Sequence, residues 1–155
     1  MDILDEEILN LWKSLDEFHV RYIMVGGFAT NLHGFTRMTA DMDIWMQDTP
    51  ENRKNFRAAL NKAGLGDFEE LETMEFVAGW TSIYLSSGLE LDIMTDMKAF
   101  TSKDFDQCYG QAPIAWIHDV SVRFLHLNHL LEEKKAAGRK KDLLDIDELK
   151  RQNNL

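Results

Sequence analysis

Asp41 and Asp43 stand two residues apart in Asp41-Met42-Asp43-Ile44-Trp45-Met46, a run that reads as a short strand. Side chains two apart leave the same face of a strand, so the two carboxylates converge. Negative charges held that close repel each other unless one takes a proton or a cation sits between them. Carboxylate oxygens suit a hard ion such as magnesium, which completes its shell with water and substrate phosphates. Asp92, in Leu89-Glu90-Leu91-Asp92-Ile93-Met94, faces away from Leu91 and Ile93 and is a candidate third carboxylate. With three such groups, two metal ions about 4 Å apart would bridge the attacking and leaving oxygens of an in-line phosphoryl displacement. The same spacing recurs as Asp104/Asp106 and Asp145/Asp147, where a solvated turn or helix face is the ordinary reading.

Gly26-Gly27 adds weight to the first pair. It follows Tyr22 to Val25, which reads as a short buried strand, and precedes one or two helical turns carrying Phe28, Ala29, Leu32 and His33. Glycines at such a bend let the backbone approach a ligand, and the helical turn directs free N–H groups at an anion. A tight turn needing positive φ is the plainer alternative. Strand, glycine pair, helical turn and acidic strand together place a phosphate cradle beside a metal holder. His33 reads as a packed histidine rather than a catalyst. Arg37, just before the acidic strand, is a candidate substrate contact. Trp12, Trp45, Trp80 and Trp116 read as core or pocket wall, not as a stacking platform for a single nucleic-acid strand.

Stepwise apolar spacing at Ile3, Leu4, Ile8, Leu11, Trp12, Leu15 and Phe18 predicts an amphipathic first helix. Thr49 as N-cap and Pro50 at the first position start another, carrying Phe56, Ala59, Leu60 and Ala63 and stopped by Gly64. Phe76 to Ala78 is a candidate strand. Thr81 to Leu85 and Leu89 to Met94 flank Ser86-Ser87-Gly88 as a β-hairpin, which puts Asp92 on a strand. A helix over Ser102 to Tyr109 and a late strand over Val120 to Phe124 follow. Asn128 caps a helix running to Ala137, Gly138 ends it, and a last helix covers about Lys140 to Arg151. The expected fold is α+β (mixed α/β), a small central mixed sheet flanked by helices. One domain over 1–155 is expected, helical from about 125.

The 155 residues, 45% hydrophobic, suit one ordinary core. A formal net charge of -10 disfavours a general nucleic-acid coat, whose affinity comes from Lys and Arg neutralising phosphates. The single cysteine, Cys108, rules out an intrachain disulfide and a multi-cysteine zinc site from this chain alone, which fits a reducing compartment. The first residues are acidic where a secretory signal is basic, and no apolar run approaches the roughly 18 residues of a membrane span. A soluble cytoplasmic protein with no membrane partner is expected.

Val25-Gly26-Gly27, thirteen residues, then Asp41-Met42-Asp43-Ile44 resembles the signature of the DNA polymerase β-like nucleotidyltransferase superfamily. The intervening His33-Gly34-Phe35-Thr36-Arg37-Met38-Thr39 is similar to the version in minimal nucleotidyltransferases and the nucleotidyltransferase toxins of abortive-infection systems. Leu130 to Leu143, with Lys134, Arg139 and Asp142, is similar to their C-terminal motif. The resemblance implies the polymerase β-like fold, with Gly26 and Gly27 on nucleotide phosphates. It implies Asp41 and Asp43 as metal ligands, and Asp92 completing the catalytic triad as ligand or proton acceptor. Lys134 matches the lysine expected near the triphosphate and Asp142 the acid of the same motif. Arg139, Arg37 and Thr39 are further nucleotide-contact candidates. Lys141 is a secondary candidate as well, although for it, as for Lys135 and Lys140, a solvated helix end is the ordinary reading.

The expected activity is transfer of a nucleoside monophosphate from an NTP to a hydroxyl, with release of pyrophosphate. Its expected cofactor is Mg2+ or Mn2+, as two ions. The acceptor stays open among a protein hydroxyl, a transfer-RNA end and a small molecule. The competing reading is a non-catalytic nucleotide- or partner-binding module, or a toxin-antitoxin component acting through a protein partner.

Overall fold

The computed structural model describes residues 6–36 and 41–155. The expectations for Ile3, Leu4, Arg37 and Thr39 therefore lie outside the described residues.

Helix α1 (Glu6–Glu17) buries Ile8, Leu11, Trp12 and Leu15 along one stripe. Its Ser14 Oγ donates to the Ala59 carbonyl at 2.6 Å, tying it to α3 (Pro50–Lys62). The two helices cover a four-stranded sheet. Strand β1 (Tyr22–Val25) is buried throughout, and β2 (Met42–Met46) buries Met42, Ile44, Trp45 and Met46. The strand order is β1-β2-β4-β3, with β3 (Trp80–Tyr84) at one edge and β4 (Glu90–Met94) inside. Pairing is antiparallel for β1/β2 and β3/β4 but parallel for β2/β4. A parallel neighbour demands a long crossover, and α3, α4 (Glu70–Thr73) and β3 supply it. This mixed α+β architecture is the expected one.

Local signals account for much of it. Thr49 accepts from the Asn52 N–H at 3.1 Å with Pro50 in the first turn, so α3 starts as expected. Asn52 is itself buried and bridges chain segments, donating to the Arg21 and Gln47 carbonyls and accepting from the Arg21 N–H. Gly138, at φ 65°, ends α6 (Leu127–Ala137) in the left-handed conformation that favours glycine, and α7 (Lys140–Gln152) folds back beside α6. The Asn153 side chain then donates to the His33 carbonyl at 2.9 Å, anchoring the end of α7 to the end of α2 (Gly26–Leu32).

Several expectations are corrected. Phe76 to Ala78 is not a strand: Val77–Gly79 forms a 3-10 turn, with Ala78 at φ 59°. The helix expected from Ser102 is a 3-10 turn over Ser102–Asp104 continued by α5 (Phe105–Gln111). Strand β6 (Val120–Arg123) is joined by an unexpected partner, β5 (Ile114–Ile117), in a second, two-stranded sheet. Ile114 and Trp116 of β5 are exposed, so Trp116 does not belong to the core. The cap of α6 is His126, whose Nδ1 accepts from the Asn128 N–H at 3.0 Å, and not Asn128. Among the described residues no helix is long and apolar enough to cross a membrane.

Candidate active site

The parallel β2/β4 pairing sets Asp43 directly opposite Asp92. Residues opposite each other in register share a face of the sheet, so these carboxylates meet although 49 positions separate them in sequence. Ser82 of β3 lies opposite Asp92 in turn, and its Oγ donates to Asp92 Oδ1. Asp41 sits just before β2, not within it, yet lines the same cleft and acts on both Asp43 and Glu90. The sheet thus presents Asp41, Asp43, Asp92 and Glu90 as one acidic floor.

Charge crowding there shifts the acids themselves. Burial pushes the Asp43 carboxyl up to about 7, and Asp92, by charge and by hydrogen bond, and Asp41 add to the rise. Lys141 pulls the other way. Glu90 is raised as well, first by desolvation and then by its hydrogen bond and charge interaction with Asp41. These are the conditions under which a carboxylate pair holds a proton or recruits a cation.

Gly26 makes the arrangement possible. At φ 64° it occupies the left-handed region, and a Cβ placed on it would run into the Asp43 carboxylate. The backbone bend after β1 therefore lies against the acid of β2, with Val25 and Asp43 in register. Gly27 is buried in α2 and does not line the cleft, whereas Gly26 does.

Helices α6 and α7 wall the cleft, which encloses about 560 Å³. Lys134 lines it, but its Nζ lies 2.7 Å from Asp145 Oδ2 with both side chains less than a tenth exposed. Asp145, read from sequence as one of a solvated pair, is in fact the buried counterion of Lys134. Arg139 binds Asp142 through Nε at 2.6 Å and Nη2 at 3.2 Å, and the Asp142 side chain also accepts from the Arg139 N–H. Asp142 thus caps α7 and aims Arg139, so its contact is to protein. Lys141, read as part of a solvated helix end, lines the cleft and acts electrostatically on Asp43. Sequence placed it only as a secondary candidate because nothing in a lysine-rich helix start tells which member faces a cleft.

His33 is packed, as expected: a ring nitrogen lies 2.7 Å from the Leu125 carbonyl, Phe124 packs on the ring, and burial lowers its pKa.

Among the described residues no three acid, histidine or cysteine groups close on a point that would cage a metal ion with protein alone. The donor set fits instead an ion that shares its shell with water and phosphate oxygens. Two facing carboxylates with a raised Asp43, against a bend with no side chain, form such a half-built site.

No family model and no curated protein matches the sequence. Solved structures do match. ANT(2″)-Ia, solved in complex with adenylyl-2″-tobramycin, aligns with a TM-score of 0.58 at 16% identity, over 93% of this chain and 86% of that one. A solution structure of the same antibiotic-resistance factor gives 0.62 at 16%, over 94% and 81%. A Thermotoga maritima protein assigned as a nucleotidyltransferase gives 0.57 at 12%, over 95% and 90%. With the acidic floor, the glycine bend and the two-helix wall in place, these alignments show that the chain has the polymerase β-like nucleotidyltransferase fold.

Proposed function

We propose that the chain is a metal-dependent nucleotidyltransferase that moves a nucleoside monophosphate from an NTP to a hydroxyl acceptor. The observation that carries this reading is the in-register meeting of Asp43 and Asp92 against the Gly26 bend, on the floor of a cleft walled by Arg139 and Lys141. Asp43 and Asp92, with Asp41 beside them, would hold Mg2+ or Mn2+. Bound there, the ion would withdraw charge from the α-phosphate and neutralise the departing pyrophosphate.

The protein's own groups do the rest. Gly26 lets the phosphate chain approach the backbone, and Arg139 and Lys141 supply positive charge along it. Asp142 fixes Arg139 in place. The acceptor oxygen attacks the α-phosphorus in line, the bond to the β-phosphate oxygen breaks, and pyrophosphate leaves. The hydroxyl proton passes to Asp92, whose other contact, from Ser82, fixes its orientation. The solved complex of ANT(2″)-Ia with an adenylylated product supports the reaction class for this fold.

One observation favours a binding-only role: Lys134 is held by Asp145 and does not extend freely into the cleft. Such a chain would act through nucleotide sensing or through a protein partner of toxin-antitoxin type. The two readings separate in one experiment. Labelled ATP, GTP, CTP and UTP are incubated with magnesium or manganese and with protein, transfer-RNA and small-molecule acceptors. Label transferred to an acceptor, and lost in Asp92→Asn, supports the enzyme; tight metal-dependent nucleotide binding with no transfer to any acceptor supports the module.

A further inference from the structure

Trp80 is the first residue of β3, at the open edge of the main sheet, and it is 53% exposed. One exposed indole means little by itself on a folded domain. Its position is specific. In the β3/β4 register Trp80 lies opposite Met94 and Ser82 opposite Asp92, so Trp80, Ser82, Met94 and Asp92 all stand on the face of the acidic floor. Trp80 lines the cleft together with Met94 and Met97.

The cleft is therefore polarised along its length. Gly26, Arg139 and Lys141 gather at Asp43, whose charge acts on Arg139 and feels Lys141. The indole and two thioethers stand at the far ends of β3 and β4. Two residue steps along the strand and one strand across place Trp80 roughly 8 Å from Asp92 by standard sheet spacings, a distance that a phosphate and its ribose span together. Asp96, Lys98 and Glu133 also line the far end, but Asp96 accepts from the Ser102 N–H and Glu133 from the Lys98 and Ala99 N–H groups, so the indole and thioethers are its free surface, opposite the basic end, as a nucleotide laid lengthwise requires.

We infer that Trp80 is the platform on which the nucleobase of the bound nucleotide stacks, with Met94 and Met97 as its soft, adaptable surround. The inference rests on the nucleotidyltransferase reading and adds the base subsite to it. A π-face accepts any base, so the subsite favours purines over pyrimidines only by stacking area and does not read hydrogen-bond edges.

The test is calorimetric titration of magnesium with ATP, with UTP and with inorganic tripolyphosphate, into wild type, Trp80→Ala and Trp80→Phe. The expected result is a loss of about five- to a hundredfold for ATP in Trp80→Ala, a smaller loss for UTP, and tripolyphosphate binding unchanged within about twofold. Trp80→Phe, which keeps a ring and guards against misfolding, retains most of the ATP affinity. Fluorescence gives a second readout: Trp12 and Trp45 are fully buried and Trp116 lies outside the cleft lining, so ATP quenching should vanish in Trp80→Phe and persist in Trp116→Phe. Wild-type-like ATP binding by Trp80→Ala, or equal losses for ATP and tripolyphosphate, overturns the inference alone. Wild type that binds neither ligand overturns the functional reading and this one with it.

Discussion

The sheet floor and the helical wall of the same cleft treat charge in opposite ways. On the wall the buried acids meet cations, Asp145 with Lys134 at 2.7 Å and Asp142 with Arg139 at 2.6 Å, and Glu133 accepts from the Lys98 and Ala99 N–H groups. On the floor the acids meet one another, Asp43 with Asp92 and Asp41 with Glu90. Paired charges within a fold serve position; like charges crowded on a rigid sheet are a cost that a proton or a bound cation relieves. The wall's pairs hold its helices and side chains in place, and the floor's unrelieved charge makes it the candidate site of chemistry.

The comparison breaks most visibly if floor substitutions leave function intact. Asp43→Ala or Asp92→Ala should lower nucleotidyl transfer at least about a hundredfold while the protein remains folded by circular dichroism. Lys134→Ala should do the reverse first, removing about 3–5 kcal/mol of stability because it strands buried Asp145. Denaturant melts measure it, and the double replacement Lys134→Met with Asp145→Leu should restore most of that loss. A fully stable Lys134→Ala would mean that the wall pair is not structural.

Asp43→Asn should act oppositely on stability. The folded carboxyl is raised from 3.8 to about 7, so the neutral form is favoured. No penalty exists below the unfolded value; it grows between there and about 7 and is complete above. The metal-free variant should therefore exceed wild type by on the order of 2 kcal/mol at pH 8 and match it at pH 4. Magnesium should raise the wild-type Tm more at pH 8 than at pH 6, since protons compete for the same oxygens. Gly26→Ala should cost about 1–2 kcal/mol for its left-handed φ alone, plus displacement of Asp43, and should also abolish transfer. The smallest effect is Arg139→Ala, which leaves buried Asp142 with the backbone N–H of residue 139 in place of the guanidinium: a stability loss of about 1–2 kcal/mol and a raised KM for nucleotide with kcat nearly kept.

Asp43 and Asp92 of the acidic floor were legible in sequence because strand alternation is local: Asp92 between Leu91 and Ile93 announces its face before any partner is known, though Glu90, two residues before it on the same face, was not singled out. Gly26 was legible for the same reason, standing between a strand and an acidic run. The wall was harder to read. Asp145 looks like any helical acid until Lys134 is folded onto it, and Lys141 differs from Lys140 only in which way α7 turns it. Strand β5 escaped because Ile114 and Trp116 point outward, reversing the usual sign of a buried strand face. The 3-10 turn at Val77–Gly79 replaced an expected strand because its most apolar member, Val77, is 86% exposed and has nothing to pair with there.

The central claim is that the floor joins protein to polyphosphate through a divalent cation. Titrating a non-hydrolysable ATP analogue into wild type and Asp43→Asn, with magnesium and then with chelator, tests it most directly. The account predicts micromolar-range binding by wild type with magnesium, at least tenfold weaker binding with chelator, and little further effect of chelator on Asp43→Asn. Equal affinity in all four titrations would contradict it.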